Sequence, residues 1–133
     1  MQALLSDKKE DLKFFFFEEG AWNTTDEAAA MDLIARTPAP TKLLRVDTFT
    51  TQYANDLLEQ YVGDRKFDFL NIDIEGMDDR VLFSIDFHRF RPRVIAIEFD
   101  IGRWERDDAR LFLNTYGYRV VSVCMHTSIL VQA

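Results

Sequence analysis

The chain has 133 residues, 47% of them apolar and twelve of them Phe, with a net charge of −7 and a pI near 4.8. That length fits a single domain with a sizeable core, and the apolar content excludes a disordered chain. The acidic balance argues against a nucleic-acid partner, whose phosphates attract basic surfaces.

"DLKFFFFEEG" predicts a strand from about Leu12 to Phe17, closed by a turn at Gly20. In "AWNTTDEAAAMDLI", Thr24 or Thr25 is placed to cap a short helix, with Asp26 and Glu27 favourable at its positive end. "RTPAPT" is a turn, because Pro38 and Pro40 both interrupt regular structure. "KLLRVDTF" is a strand. "TTQYANDLLEQYVG" is a helix capped by Thr50 or Thr51, with Tyr53, Leu57 and Tyr61 along one face and Gly63 as its stop. A third strand follows, from about Phe67 to Ile74.

"MDDRVLFSIDFHRF" predicts a short helix ending before Pro92, and "RVIAIEFD" a strand from Arg93 to Phe99. "ERDDARLFLNTYG" is a helix with Ala109, Phe112, Leu113 and Tyr116 on one face and Gly117 as its stop. "YRVVSVCMHTSILVQ" reads as a hairpin turning near Met125 to Thr127. Two nearly continuous apolar strands separated by a helix imply a parallel βαβ unit buried on both faces. With the terminal hairpin, the expected class is a mixed α/β sandwich.

Several side chains get plain readings. Cys124, in "VVSVCM", is expected as a small core residue; as the one cysteine it allows no internal disulfide, which fits a reducing cytoplasm. No apolar stretch approaches the ~18 residues of a membrane span, so no membrane partner is expected. Arg89, Arg91 and Arg93 read as a solvated helix end rather than an anion site. His88 is expected as a surface or capping residue, and His126 in the hairpin turn, where a plain turn role is favoured over one facing the acid edge. Trp22 and Trp104 are expected on the core or in an acceptor groove, Trp104 being the better groove candidate.

The chemistry concentrates in "FDFLNIDIEG" and "VIAIEFD". Alternate strand residues share a face, so Asn71, Asp73 and Glu75 point one way and Leu70, Ile72 and Ile74 the other. Glu98 and Asp100 repeat the theme at the end of the next strand. If the two strands are parallel neighbours, all four acids line one sheet edge, where open α/β sheets bind ligands. Such a cluster can take a proton from a hydroxyl, hold a hard cation, or hydrogen-bond sugar hydroxyls. Crowded like charges should raise at least one pKa. Gly76 permits the tight turn that follows, and Asp78 and Asp79 then favour a helix start.

The stretch "FDFLNIDIEGMDDRVLFSIDFHRFRPRVIAIEFD" resembles the FkbM family of S-adenosylmethionine-dependent methyltransferases. The matching features are Asp73, Glu75 and Gly76, then Val81 and Leu82, then Pro92, Val94, Ile95 and Glu98. "RVDTFTTQYANDLLEQY" and "YGYRVVSV" extend the similarity over about Leu12 to Val131. The resemblance implies a partial Rossmann-like methyltransferase sandwich, mostly parallel, with a C-terminal antiparallel hairpin. It implies O-methylation of a small-molecule or glycan hydroxyl with S-adenosylmethionine as donor. Asp73, Glu75 and Glu98 are the implied catalytic residues, Asn71 and Asp73 the implied donor-binding ones; no metal is called for.

One family feature is missing. Gly20, Gly63, Gly76, Gly102 and Gly117 are too far apart for a glycine-rich donor loop. The expectation is therefore one domain over 1–133 lacking the N-terminal donor-binding part, with an open sheet edge that self-associates or takes a completing chain. The alternatives are a non-catalytic half-fold that works through that edge, or a hard-metal-binding domain.

Overall fold

The computed structural model describes residues 3–74, 77–98 and 105–133, with residues 105–107 described by their backbone alone. In chain order the elements are β1 (Leu5–Ser6), β2 (Asp11–Phe17), a 3-10 turn (Gly20–Trp22), α1 (Glu27–Ala35), β3 (Leu43–Thr50), β4 (Gln52–Tyr53) and α2 (Ala54–Tyr61). There follow β5 (Phe69–Ile72), α3 (Asp78–Ser84), β6 (Val94–Glu98), α4 (Glu105–Thr115), β7 (Tyr118–Cys124) and β8 (Thr127–Gln132). The class is mixed α/β, with four helices and both parallel and antiparallel pairing. The chain folds as two compact units, one of residues up to Leu4 with Lys8–Thr51, the other of Leu5–Asp7 with Gln52–Ala133.

The first unit is an antiparallel pair, β2 on β3, in register from Asp11↔Thr50 to Phe17↔Leu43. Alternation sorts the four phenylalanines by face. Phe15 and Phe17 are buried with Ala30 and Leu33 of α1. Phe14 and Phe16 lie on the opposite face with Phe49, ring centroids 4.7–6.3 Å apart. Asp26, rather than Thr24 or Thr25, caps α1: its Oδ1 accepts from Ala28 N at 2.8 Å and Ala29 N at 3.0 Å. A carboxylate there satisfies two orphan donors and meets the positive helix end. Trp22 is solvent-exposed, so the expected core placement is corrected.

The second unit holds a four-stranded sheet in the order β5-β6-β8-β7. β5 and β6 are parallel neighbours in register from Phe69↔Val94 to Ile72↔Ile97, as the βαβ pattern predicts. β8 runs antiparallel to both β6 and β7. Three strands therefore point one way, with β8 inserted against them. No other described strand pairs with β5, whose outer residue Phe69 is 58% exposed. The core behind the sheet contains Ile72, Val81, Leu82, Phe87, Ile95, Ile97, Leu113 and Leu130. Tyr118 is buried among them and donates from its hydroxyl to Pro92 O at 2.6 Å; burial holds its pKa above the ordinary phenol value.

Four local expectations are corrected. Thr51 does not cap α2: its Oγ1 lies 2.8 Å from Lys8 O and accepts from Glu10 N at 2.8 Å, within the first unit. Tyr53 stands at the cap position, with no side-chain cap bond. The inward face of α2 is Ala54 and Leu58, while Tyr53 and Tyr61 are exposed. The predicted helix before Pro92 stops at Ser84, where Asn55 of α2 intervenes, its Nδ2 donating to Ser84 O at 2.8 Å and its Oδ1 accepting from Asp86 N at 3.0 Å. Cys124 is exposed because β7 is the outermost strand and its end leaves the core.

α4 buries Ala109 and Leu113 as its periodicity predicts and ends at Thr115, and Gly117 just beyond it has a φ of +85°, the left-handed conformation that glycine adopts without steric cost. The β7–β8 turn has Met125 at φ +53°, the sign a two-residue hairpin of type II′ requires at its first central position.

Candidate active site

The parallel pairing of β5 and β6 decides where the acids fall. Ile72 lies opposite Ile97, so Asp73, just past the end of β5, and Glu98, the last residue of β6, stand side by side at the C-terminal ends of two adjacent strands. Ile72 is buried and Asp73 exposed, which is the alternation the sequence predicts. Glu98 is half-buried. Its pKa is raised, first because burial disfavours the charged form, then because Asp73 lies within hydrogen-bonding reach and repels a second negative charge. A carboxyl pair this close disfavours a second negative charge, which is the second cause of the rise after burial.

Two residues join this pair that strand spacing alone does not place there. Asp78, the first residue of α3, is buried; its Oδ1 accepts from Ile74 N at 3.1 Å, and its charge also raises the Glu98 pKa. His126, in the β7–β8 turn, is close enough to lower it. β8 lies beside β6 with Thr127 opposite Glu98, which brings the turn to the acid rim. His126 Nδ1 is buried and has no hydrogen-bond partner among the described residues. An unfilled buried ring nitrogen beside a carboxyl pair is unusual, since such atoms are nearly always satisfied.

Of the sequence-predicted site residues, Asp73 and Glu98 are brought together. Asn71 sits one alternation back on β5, opposite Ala96, exposed and on the same side as Asp73. Glu75, Gly76, Asp100 and Trp104 lie outside the described residues. Among the described residues, no group of three or more His, Cys, Asp or Glu side chains is placed to hold a metal ion. The helix-start carboxylate Asp78 was legible only as a dipole partner; its burial against Glu98 needs the sheet and α3 together.

The raised Glu98 pKa has a thermodynamic sign. A carboxyl that is harder to ionise in the folded state than in the unfolded one lowers stability as pH rises from its ordinary value through its folded value. Glu98→Gln keeps a donor to Asp73 and removes the charge. The variant is expected to be more stable than the parent at pH 7, by up to about 1 kcal/mol for this partly exposed group, and to match it at acid pH where Glu98 is protonated. Thermal unfolding across pH checks this; a gain confined to acid pH would contradict it.

Among the described residues no helix is long and apolar enough to cross a membrane. No curated protein and no solved structure matches the chain. The family model of the methyltransferase FkbM domain matches residues 5–120, which takes in β1 to β6, α4 and the start of β7. On that match, carried across most of its length, the chain belongs to the FkbM family of methyltransferases.

Proposed function

We propose that this chain transfers a methyl group from S-adenosylmethionine to a hydroxyl of a small-molecule or glycan acceptor, at the rim formed by Asp73, Glu98 and His126. The observation that carries the reading is the side-by-side placement of Asp73 and Glu98 at the C-terminal ends of parallel strands, with a raised pKa at Glu98. Methyl transfer from a sulfonium needs an acceptor oxygen that is aligned and at least partly deprotonated. A carboxyl whose pKa is moved toward neutrality is a better base than an ordinary one.

The residues present suit the donor's chemistry. Asp73 and the Asn71 amide offer acceptors for its hydroxyl and amino groups, and the acid rim attracts its positive charge. The bound donor supplies an electrophilic methyl. The protein's own part is to hold the acceptor hydroxyl in line and remove its proton, which alignment makes effectively intramolecular. Glu98, oriented by Asp73, takes the proton; His126 Nδ1, unfilled and adjacent, is the second acceptor through which it can leave.

A second reading is favoured by the unpaired outer edge of β5 with its exposed Phe69. Such an edge pairs readily with another chain, and the domain would then act as an interaction module. Calorimetric titration with S-adenosylmethionine, with light scattering on the same sample, separates the two. Saturable heat at micromolar to millimolar donor is expected. A dimer that gives no heat with donor would replace the enzyme reading with the second.

A further inference from the structure

The opposite end of the same sheet carries the opposite charge. A cleft of about 550 Å³ opens where β5 and β6 begin and β8 ends, and Arg65, Lys66, Arg89, Arg91 and Arg93 line it. Among the described residues, Asp64 and Asp68 are the only acids in the lining. Five of the chain's sixteen Lys and Arg thus converge on one concavity of a protein whose net charge is −7. The volume is in the range of small-molecule sites.

Some of these cations have structural work. Arg65 donates from Nε to Val62 O at 3.1 Å and from Nη2 to Tyr61 O, at the end of α2. Arg91 donates from Nη2 to Tyr116 O at 2.9 Å, just past the end of α4. With its amide turned to satisfy both groups, Gln132 Oε1 accepts from Arg91 Nε at 3.0 Å and Nη2 at 2.8 Å. Both guanidiniums therefore compensate negative helix ends, and both are held in place by those bonds. A guanidinium has five N–H donors, so each keeps donors for a ligand while its rotamers are already fixed.

The rest exceed what the helix ends require. Arg89 pairs with Glu59 and stands 3.7 Å from Asp64. Arg93 is 3.6 Å from Asp68, with both side chains about four-fifths exposed. These last two separations are beyond hydrogen-bonding distance, so the pairs are loose and solvated. Lys66 has no ion pair or hydrogen bond among the described residues. A rigid pair of forks with loosely held cations beside them suits tetrahedral oxyanions, which take several charge-assisted hydrogen bonds at once. A nucleic-acid strand or a membrane surface would need a broad basic face, and the net charge of −7 disfavours it.

We infer that this cleft is a second ligand site, taking a small phosphate-bearing molecule at the end of the sheet remote from Asp73 and Glu98. The two sites are independent: one gathers the carboxylates where β5 and β6 end, the other the cations where they begin. Arg89, Arg91 and Arg93 are solvent-exposed, as the sequence predicts, but α3 ends at Ser84, so they border a concavity instead of closing that helix.

The test is calorimetric titration with inorganic pyrophosphate in metal-free buffer at low salt, using the full chain. A dissociation constant below about 1 mM is expected. Lys66→Ser with Arg93→Ser removes two solvated cations without touching a buried bond, and should weaken binding at least roughly tenfold. Asp73→Asn should leave pyrophosphate binding unchanged. Failure to reach millimolar affinity, equal affinity in the double variant, or loss of binding in Asp73→Asn would each overturn the inference. Circular dichroism of the double variant should match the parent.

Discussion

Asp73→Asn is expected to lower methyl transfer by at least about a hundredfold, the scale of a lost contribution to general-base catalysis. The substitution is nearly isosteric and removes one negative charge from the rim. Burial is the first cause of the raised Glu98 pKa and repulsion from Asp73 the second; the substitution withdraws the second, so in the proposed reaction Glu98 becomes a weaker base as well as a less well oriented one. Donor affinity should fall about tenfold through loss of a charged acceptor. Stability should change by no more than about 0.5 kcal/mol, because Asp73 is exposed beyond the end of β5. Donor titration, radiolabelled methyl transfer to a panel of hydroxyl acceptors, and urea unfolding make the three measurements. Unchanged transfer in the variant would remove Asp73 from the reaction.

The largest stability effect is expected at Phe87. Its side chain is fully buried where the chain turns from α3 toward β6, and its ring lies 5.6–6.0 Å from those of Phe112, Tyr116 and Tyr118. Tilted and edge-on contacts of this kind add to the burial energy. Phe87→Ala should cost about 3–5 kcal/mol, through lost transfer energy and the cavity left among rings that cannot collapse inward. Domains of this size hold only about 5–15 kcal/mol in total, so the variant approaches the unfolding threshold at 37 °C. Urea unfolding measures this directly. Phe69→Ala, at an exposed edge position, is the matched control and should shift stability by less than about 1 kcal/mol. Equal costs at the two positions would contradict the assignment of the core.

The contrast between these two phenylalanines also marks what the sequence could reveal. The β5–β6 pair was legible because both strands are largely apolar runs, the pattern of a parallel βαβ unit, but the expected burial on both faces holds only for β6: Phe69 and Asn71 leave one face of β5 exposed. The Asp73–Glu98 pairing follows from that register, and the terminal hairpin from its turn at Met125 and His126. α2 was misassigned by one position on the helical wheel. Tyr53, Leu57 and Tyr61 look like a stripe, but tyrosines tolerate exposure, and small Ala54 allows the close approach. Asp78 was not legible as a partner of Glu98, because its approach depends on how α3 follows β5. His126 was legible only as a turn residue that could face the acid edge; its approach depends on β8 lying against β6 in place of β7, a choice of neighbour that no local spacing encodes. The basic cleft was hidden for the same reason: Arg65 and Lys66 follow α2, Arg89, Arg91 and Arg93 precede β6, and Gln132 ends β8.

The insertion of β8 between β6 and β7 has a consequence for biosynthesis. The ribosome delivers β6 and β7 before their shared neighbour exists, so neither can complete its pairing until Thr127–Gln132 has cleared the exit tunnel. Until then the nascent polypeptide displays Ile95, Ile97 and Val120 without a cover strand, a window in which chaperone capture competes with closure.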